Sequence, residues 1–126
     1  MRLKLPADAR SCRAAREFLS RLEGSIPAPV LRDMEIAADE LVTQSLLIEP
    51  PVQETRTFEI LANRFEVTIA VEDAIDPFGP QPVGQGDAAT LGLVVVDQVA
   101  DRWGMESNDG VVRTWATFAL PSPVEA

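Results

Sequence analysis

The sequence predicts a two-layer α/β sandwich, a mostly antiparallel sheet with its helices on one face. Three observations lead there. Segments of period two and period 3.6 follow one another in the order β-α-α-β-β-loop-α-β-β. Phe65, Val67, Ile69 and Val71 alternate with Glu66, Thr68, Ala70 and Glu72, the mark of a strand buried on one side. Near the end, Asn108-Asp109-Gly110 is a strong hairpin signal between two further strands, near 103–107 and 111–120.

The remaining elements follow in order. Arg2 to Pro6 alternates and stops at proline, which suits a short edge strand. Asp8 is placed to cap a helix over about 9–23, with Cys12, Ala15, Phe18, Leu19 and Leu22 as its apolar stripe and Gly24 as its stop. A second helix is expected over about 29–48. Its core stripe is Leu31, Met34, Ala38, Leu41, Ser45 and Ile48, and Pro50-Pro51 ends it. Strands 55–62 and 65–73 meet at a tight turn, Asn63-Arg64. Residues 74–88 hold four glycine or proline positions in their first nine residues alone, at Pro77, Gly79, Pro80 and Pro82, and form a candidate lid. A short apolar helix is expected over about 89–101.

The 126 residues suit one domain, taken as 1–120 with a short tail at 121–126. Cys12 is the sole cysteine and there is no histidine. Internal disulfides, Ser-His-Asp and Cys-His catalysis, and histidine-ligated metals are thereby excluded. No apolar core follows the first basic residues and no apolar run is long enough for a bilayer, so a cytoplasmic protein is expected.

Charge is uneven. Residues 1–21 carry Arg2, Lys4, Arg10, Arg13, Arg16 and Arg21 against Asp8 and Glu17, a balance of +4 in a chain of net −9, which leaves −13 for the rest. An acidic body argues against nucleic-acid binding. The arginines have two readings, a docking face for an acidic partner or an ordinary solvated face paired with neighbouring acids.

Three places carry candidate chemistry. Glu40 and Gln44 stand four apart on the second helix and share a face, as a ligand-presenting pair or as a plain solvated one. Asp73, at a strand end, either accepts a hydrogen bond from a ligand or caps a turn. Thr90-Leu91-Gly92-Leu93 opens the third helix, where free N–H groups suit phosphate, although Gly92 also suits close helix–sheet packing.

In this order, Glu40-Leu-Val-Thr-Gln44, Val71-Glu-Asp73 and Gly92 through Gly104 resemble the histidine-kinase-like ATPase domain of bacterial anti-sigma-factor serine/threonine kinases, the RsbW and SpoIIAB type. Leu5 to Phe18 and Arg113 to Pro121 resemble its first strand and helix and its closing strand. The resemblance implies a Bergerat fold that holds ATP and magnesium between helices and sheet. It assigns Glu40 as catalytic base, Gln44 as metal ligand, Asp73 as reader of the adenine amino group, Thr90 and Gly92 as phosphate holders, and Thr114 as a neighbour of the adenine. It implies a homodimer whose partners are a sigma factor or its antagonist.

Several positions depart from that pattern. Gln44 replaces an asparagine and is one methylene longer, Ile75 stands where glycine is usual, and Thr90 and Leu91 replace a glycine and a polar residue. Magnesium demands near-octahedral geometry at about 2.0–2.1 Å, so a displaced amide weakens it. The resulting expectation is an anti-sigma-type binding protein with weakened nucleotide use. The alternative is an active serine/threonine protein kinase that phosphorylates an antagonist.

Overall fold

In the computed structural model, residues 1–6, 8–46, 55–74 and 93–121 are described. They form β1 (Arg2–Pro6), α1 (Arg10–Leu19) continued by a 3-10 turn (Ser20–Leu22), α2 (Ala28–Leu46), β2 (Thr55–Ala62), β3 (Glu66–Ala74), α3 (Val94–Val99), β4 (Arg102–Asn108) and β5 (Val111–Ala119). The sheet order is β1-β2-β3-β5-β4 with every neighbour antiparallel. The β1 segment is an edge strand, as its proline suggests.

Register sorts the strand residues onto two faces. Leu3, Phe58, Val71 and Thr114 lie in one cross-strand row, and Ile60, Ile69, Ala116 and Trp103 in the next. The apolar residues of these rows join Ala15, Phe18 and Leu19 of α1, Met34, Ala38, Leu41 and Val42 of α2, and Val96 of α3 in a single core. All three helices therefore cover the same side of the sheet, as expected from patterns of period two beside amphipathic helices. The other face is polar: Thr68 and Thr117 share a 2.7 Å hydrogen bond there, and Glu59 accepts from Arg2 at 2.7 Å and Arg113 at 2.8 Å.

Turn chemistry sets several boundaries. Gly24 ends the first helical segment at φ 85°, and the Asp109-Gly110 turn has φ 50° and 79°, positive at both central residues as a type I′ hairpin needs. Asp8 sits one residue before the cap position, held by Ala9, and its carboxylate accepts the Arg10 N–H at 2.9 Å. The β2–β3 turn is longer than Asn63-Arg64. The Asn63 Oδ1 accepts the N–H groups of both Phe65 and Glu66, so Phe65 falls in the turn rather than the strand and is 68% exposed. The third helix runs Val94–Val99, with Leu93 at φ −114° before it and Ala100 extended at ψ 151° after it; residues 89–92 of the expected 89–101 lie outside the described ones.

Candidate functional site

The second helix carries the first pair. Leu41, Val42 and Ser45 are buried along its sheet-facing stripe, and Glu40 and Gln44 stand half-buried at its margin. The predicted shared face is present: Gln44 Nε2 donates to Glu40 Oε1 at 3.4 Å, a long and weak bond. This orientation is the favourable one, because an amide oxygen turned on a carboxylate would be repelled. It leaves out of that bond the amide oxygen, which is the atom a cation would need.

Asp73 sits near the end of β3, facing the helices, and is 4% exposed. It caps no turn. Its Oδ1 accepts the Ser45 hydroxyl from α2 at 2.6 Å and lies 2.5 Å from Arg56 Nε of β2. Both ion-pair side chains are 5% exposed. Burial pushes the Asp73 carboxyl up, and the Ser45 hydrogen bond and the Arg56 charge only partly oppose it. Arg56 is itself incompletely satisfied: among the described residues, its Nε and Nη1 find no acceptor in hydrogen-bond geometry.

Thr114, 8% exposed, pairs with Val71 across β3–β5, and Val112 of the same strand pairs with Asp73. Both therefore share the helix-facing side with Asp73. Thr90, Gly92 and Ile75 lie outside the described residues, as does the loop expected over 74–88 apart from Ala74, which belongs to β3. Of the positions taken from the resemblance, then, Asp73 and Thr114 meet on one sheet face and Glu40 and Gln44 on one helix edge. Among the described residues, no three of histidine, cysteine, aspartate and glutamate cluster as a metal site would require.

Two residues at this site were not singled out for it from the sequence. Arg56 is in phase with Phe58 and Ile60, so period two already points it inward, and an inward arginine requires an acid partner. Ser45 lies in the apolar stripe of α2, where a hydroxyl needs an acceptor. Neither signal identifies Asp73, which is 28 residues from Ser45 in the chain.

The basic stripe on the first helix is paired within the chain. Arg10 bonds Asp8 at 2.8 Å, Arg13 bonds Glu17 at 3.1 Å, and Arg16 bonds Asp39 at 2.9 Å. The Arg21 guanidinium lies 5.2 Å from the Phe18 ring centroid. The plainer of the two readings, arginines bonded to neighbouring acids, describes Arg10, Arg13 and Arg16, while Arg21 lies against a ring.

No helix among the described residues is long and apolar enough to cross a membrane. No family model matches the sequence, and no curated protein does. A solved structure does share the fold: the RsbU and RsbW domains of Rv1364c from Mycobacterium tuberculosis, with a TM-score of 0.69 and 16% identity. The match covers 97% of this chain and 32% of that one, so the chain spans about a third of the length of that neighbour, whose fold it has in the five-stranded antiparallel sheet with helices on one side.

Proposed function

We propose that this domain is an anti-sigma-factor-type regulator that works by binding a protein, a sigma factor or its antagonist, with nucleotide use weakened. The observation that carries the reading is the engagement of the candidate nucleotide residues with their own chain. Gln44 is turned onto Glu40, and Asp73 is held by Ser45 and Arg56. The resemblance of Glu40 through Gln44 and of Gly92 through Gly104 to the anti-sigma kinases, together with the shared fold, supports the partner class. A homodimer accords with the same resemblance.

The kinase reading draws on one specific feature. The Glu40 carboxylate is half-buried rather than sealed in the core, as a base acting on a hydroxyl must be. Phosphoryl transfer rests almost wholly on positioning and metal electrostatics, so the longer Gln44 side chain counts against it. One experiment separates the two. The purified protein is mixed with sigma factors and sigma antagonists encoded in the same genome, with γ-labelled ATP and magnesium present. A stable complex with one of them and no label transfer supports the regulator, and label transferred to a serine or threonine of an antagonist supports the kinase.

A further inference from the structure

On the helix-facing side of the sheet, the apolar rows give way at one end to a row containing Leu5, Arg56, Asp73 and Val112. Leu5 pairs with Arg56 across β1–β2 and Asp73 with Val112 across β3–β5. The charged pair in this row is as buried as the neighbouring core, yet it is poorly compensated. One carboxylate oxygen meets both the Ser45 hydroxyl and the Arg56 guanidinium, and Arg56 Nε, although close to that oxygen, and Nη1 have no acceptor in hydrogen-bond geometry among the described residues. An ion pair inside a protein is stabilising only when such groups are satisfied, and apolar side chains of similar volume commonly do as well or better.

The same contacts bear on nucleotide. To read an adenine, Asp73 would have to accept a neutral amino N–H. Its Oδ1 instead lies against a guanidinium fixed in the interior, whose full positive charge attracts a carboxylate more strongly than a neutral amino group does. The Ser45 hydroxyl takes the other direction on that oxygen, and a carboxylate oxygen offers about two lone-pair sites. Oδ1 is thus taken up within the chain, and a base at Asp73 is left with Oδ2 alone, beside the guanidinium.

We infer that Arg56 takes the part of the base at Asp73, a built-in guanidinium that closes the adenine end of the site, while Ser45 ties α2 to the same carboxylate without nucleotide. The inference rests on the regulatory reading only in taking Asp73 as the residue that would face a base.

The test titrates adenosine and MgATP into the whole chain, as wild type, Arg56→Met, and Arg56→Met combined with Asp73→Asn. The wild type should bind neither up to about 5 mM, whereas Arg56→Met should gain affinity for adenosine by at least about tenfold and the added Asp73→Asn should remove the gain. If Arg56→Met does not fold, the wild type alone decides, through the Arg56 Nε–H resonance in arginine-labelled protein. That signal should exchange slowly with solvent and stay in place at about 5 mM MgATP. The inference is overturned if the wild type binds MgATP in a way that Asp73→Asn abolishes, if the Arg56 signal moves on adding MgATP, or if folded Arg56→Met remains blind to adenosine. Partner capture by the wild type without nucleotide is scored separately, so loss of the regulatory reading leaves this result interpretable.

Discussion

The indole of Trp115 fills the space that a side chain on Gly104 would need. The two residues are paired directly across β4–β5, and a Cβ built on Gly104 would lie 2.7 Å from Trp115 Cζ2 and 2.8 Å from Cε2. Rigid ring atoms cannot give way as the end of a flexible chain can. Gly104→Ala should therefore force the indole off the sheet and cost about 1–3 kcal/mol, as overpacking does. Urea unfolding followed by tryptophan fluorescence checks this. The double variant Gly104→Ala/Trp115→Leu should recover part of the loss, and no recovery would show that the indole is not the obstacle.

Gly24 offers a contrast because nothing lies within 4 Å of a Cβ built there, while its φ is 85°. Any penalty at this position comes from backbone conformation alone. Gly24→Ala should cost about 1 kcal/mol, and Gly24→Asn clearly less, because asparagine tolerates the left-handed region. Equal midpoints for the alanine and asparagine variants would refute the backbone explanation.

On the sheet face away from the helices, Glu59 is shared by two arginines of very different exposure. The Arg2 side chain is 63% exposed and that of Arg113 is 24% exposed. Glu59→Ala leaves Arg113 with the Glu72 carboxylate at 3.9 Å and should cost about 1–3 kcal/mol, the penalty of a lost charged hydrogen bond. Arg2→Gln should leave the unfolding midpoint nearly unchanged, since water screens an exposed charge. A loss from Arg2→Gln matching that from Arg113→Gln would contradict this ranking.

The strand and helix patterns are largely legible in the sequence because they depend on local spacing. Val67, Ile69 and Val71 face the core as their alternation requires, and Gly24 and Gly110 adopt the positive φ that marks them as stops and turns. Phe65 departs from its alternation because Asn63 captures two backbone N–H groups and extends the turn by a residue. The third helix stops at Val99 because contacts beyond it favour the sheet: Asp101 accepts the Ala119 N–H at 2.7 Å, and Trp103 bonds back to Asp97 at 2.8 Å. The site is the less legible part. Period two turns Arg56 inward and the β2–β3 register, with Thr57 opposite Glu72, carries it to Asp73, whereas Ser45 reaches Asp73 only through how α2 crosses the sheet, which no local pattern encodes.

Asp73 and Glu59 should make opposite contributions to stability as pH changes. Burial pulls Glu59 upward, but hydrogen bonds from Arg2 and Arg113 outweigh it and hold the carboxyl below its ordinary 4.5. Its contribution is therefore present above that value and lost as pH falls. Burial leaves Asp73 above its ordinary 3.8 despite Ser45 and Arg56. Below 3.8 its carboxyl is protonated in both folded and unfolded chains; as pH rises, the unfolded chain releases the proton first and the balance moves toward unfolding. The contribution of Asp73 is thus full below 3.8, is lost as pH rises through the elevated native value, and stays lost above it. Asp73→Asn keeps the side-chain shape and cannot titrate, so it isolates this behaviour. The stability of the wild type minus that of Asp73→Asn, from urea midpoints between about pH 3 and 7, should decrease with rising pH and then level off. Glu59→Gln run in parallel should give a difference that increases over the same range. A wild-type advantage over Asp73→Asn that grows with pH would mean that the Arg56 charge outweighs burial, and that the ion pair stabilises the fold in its own right.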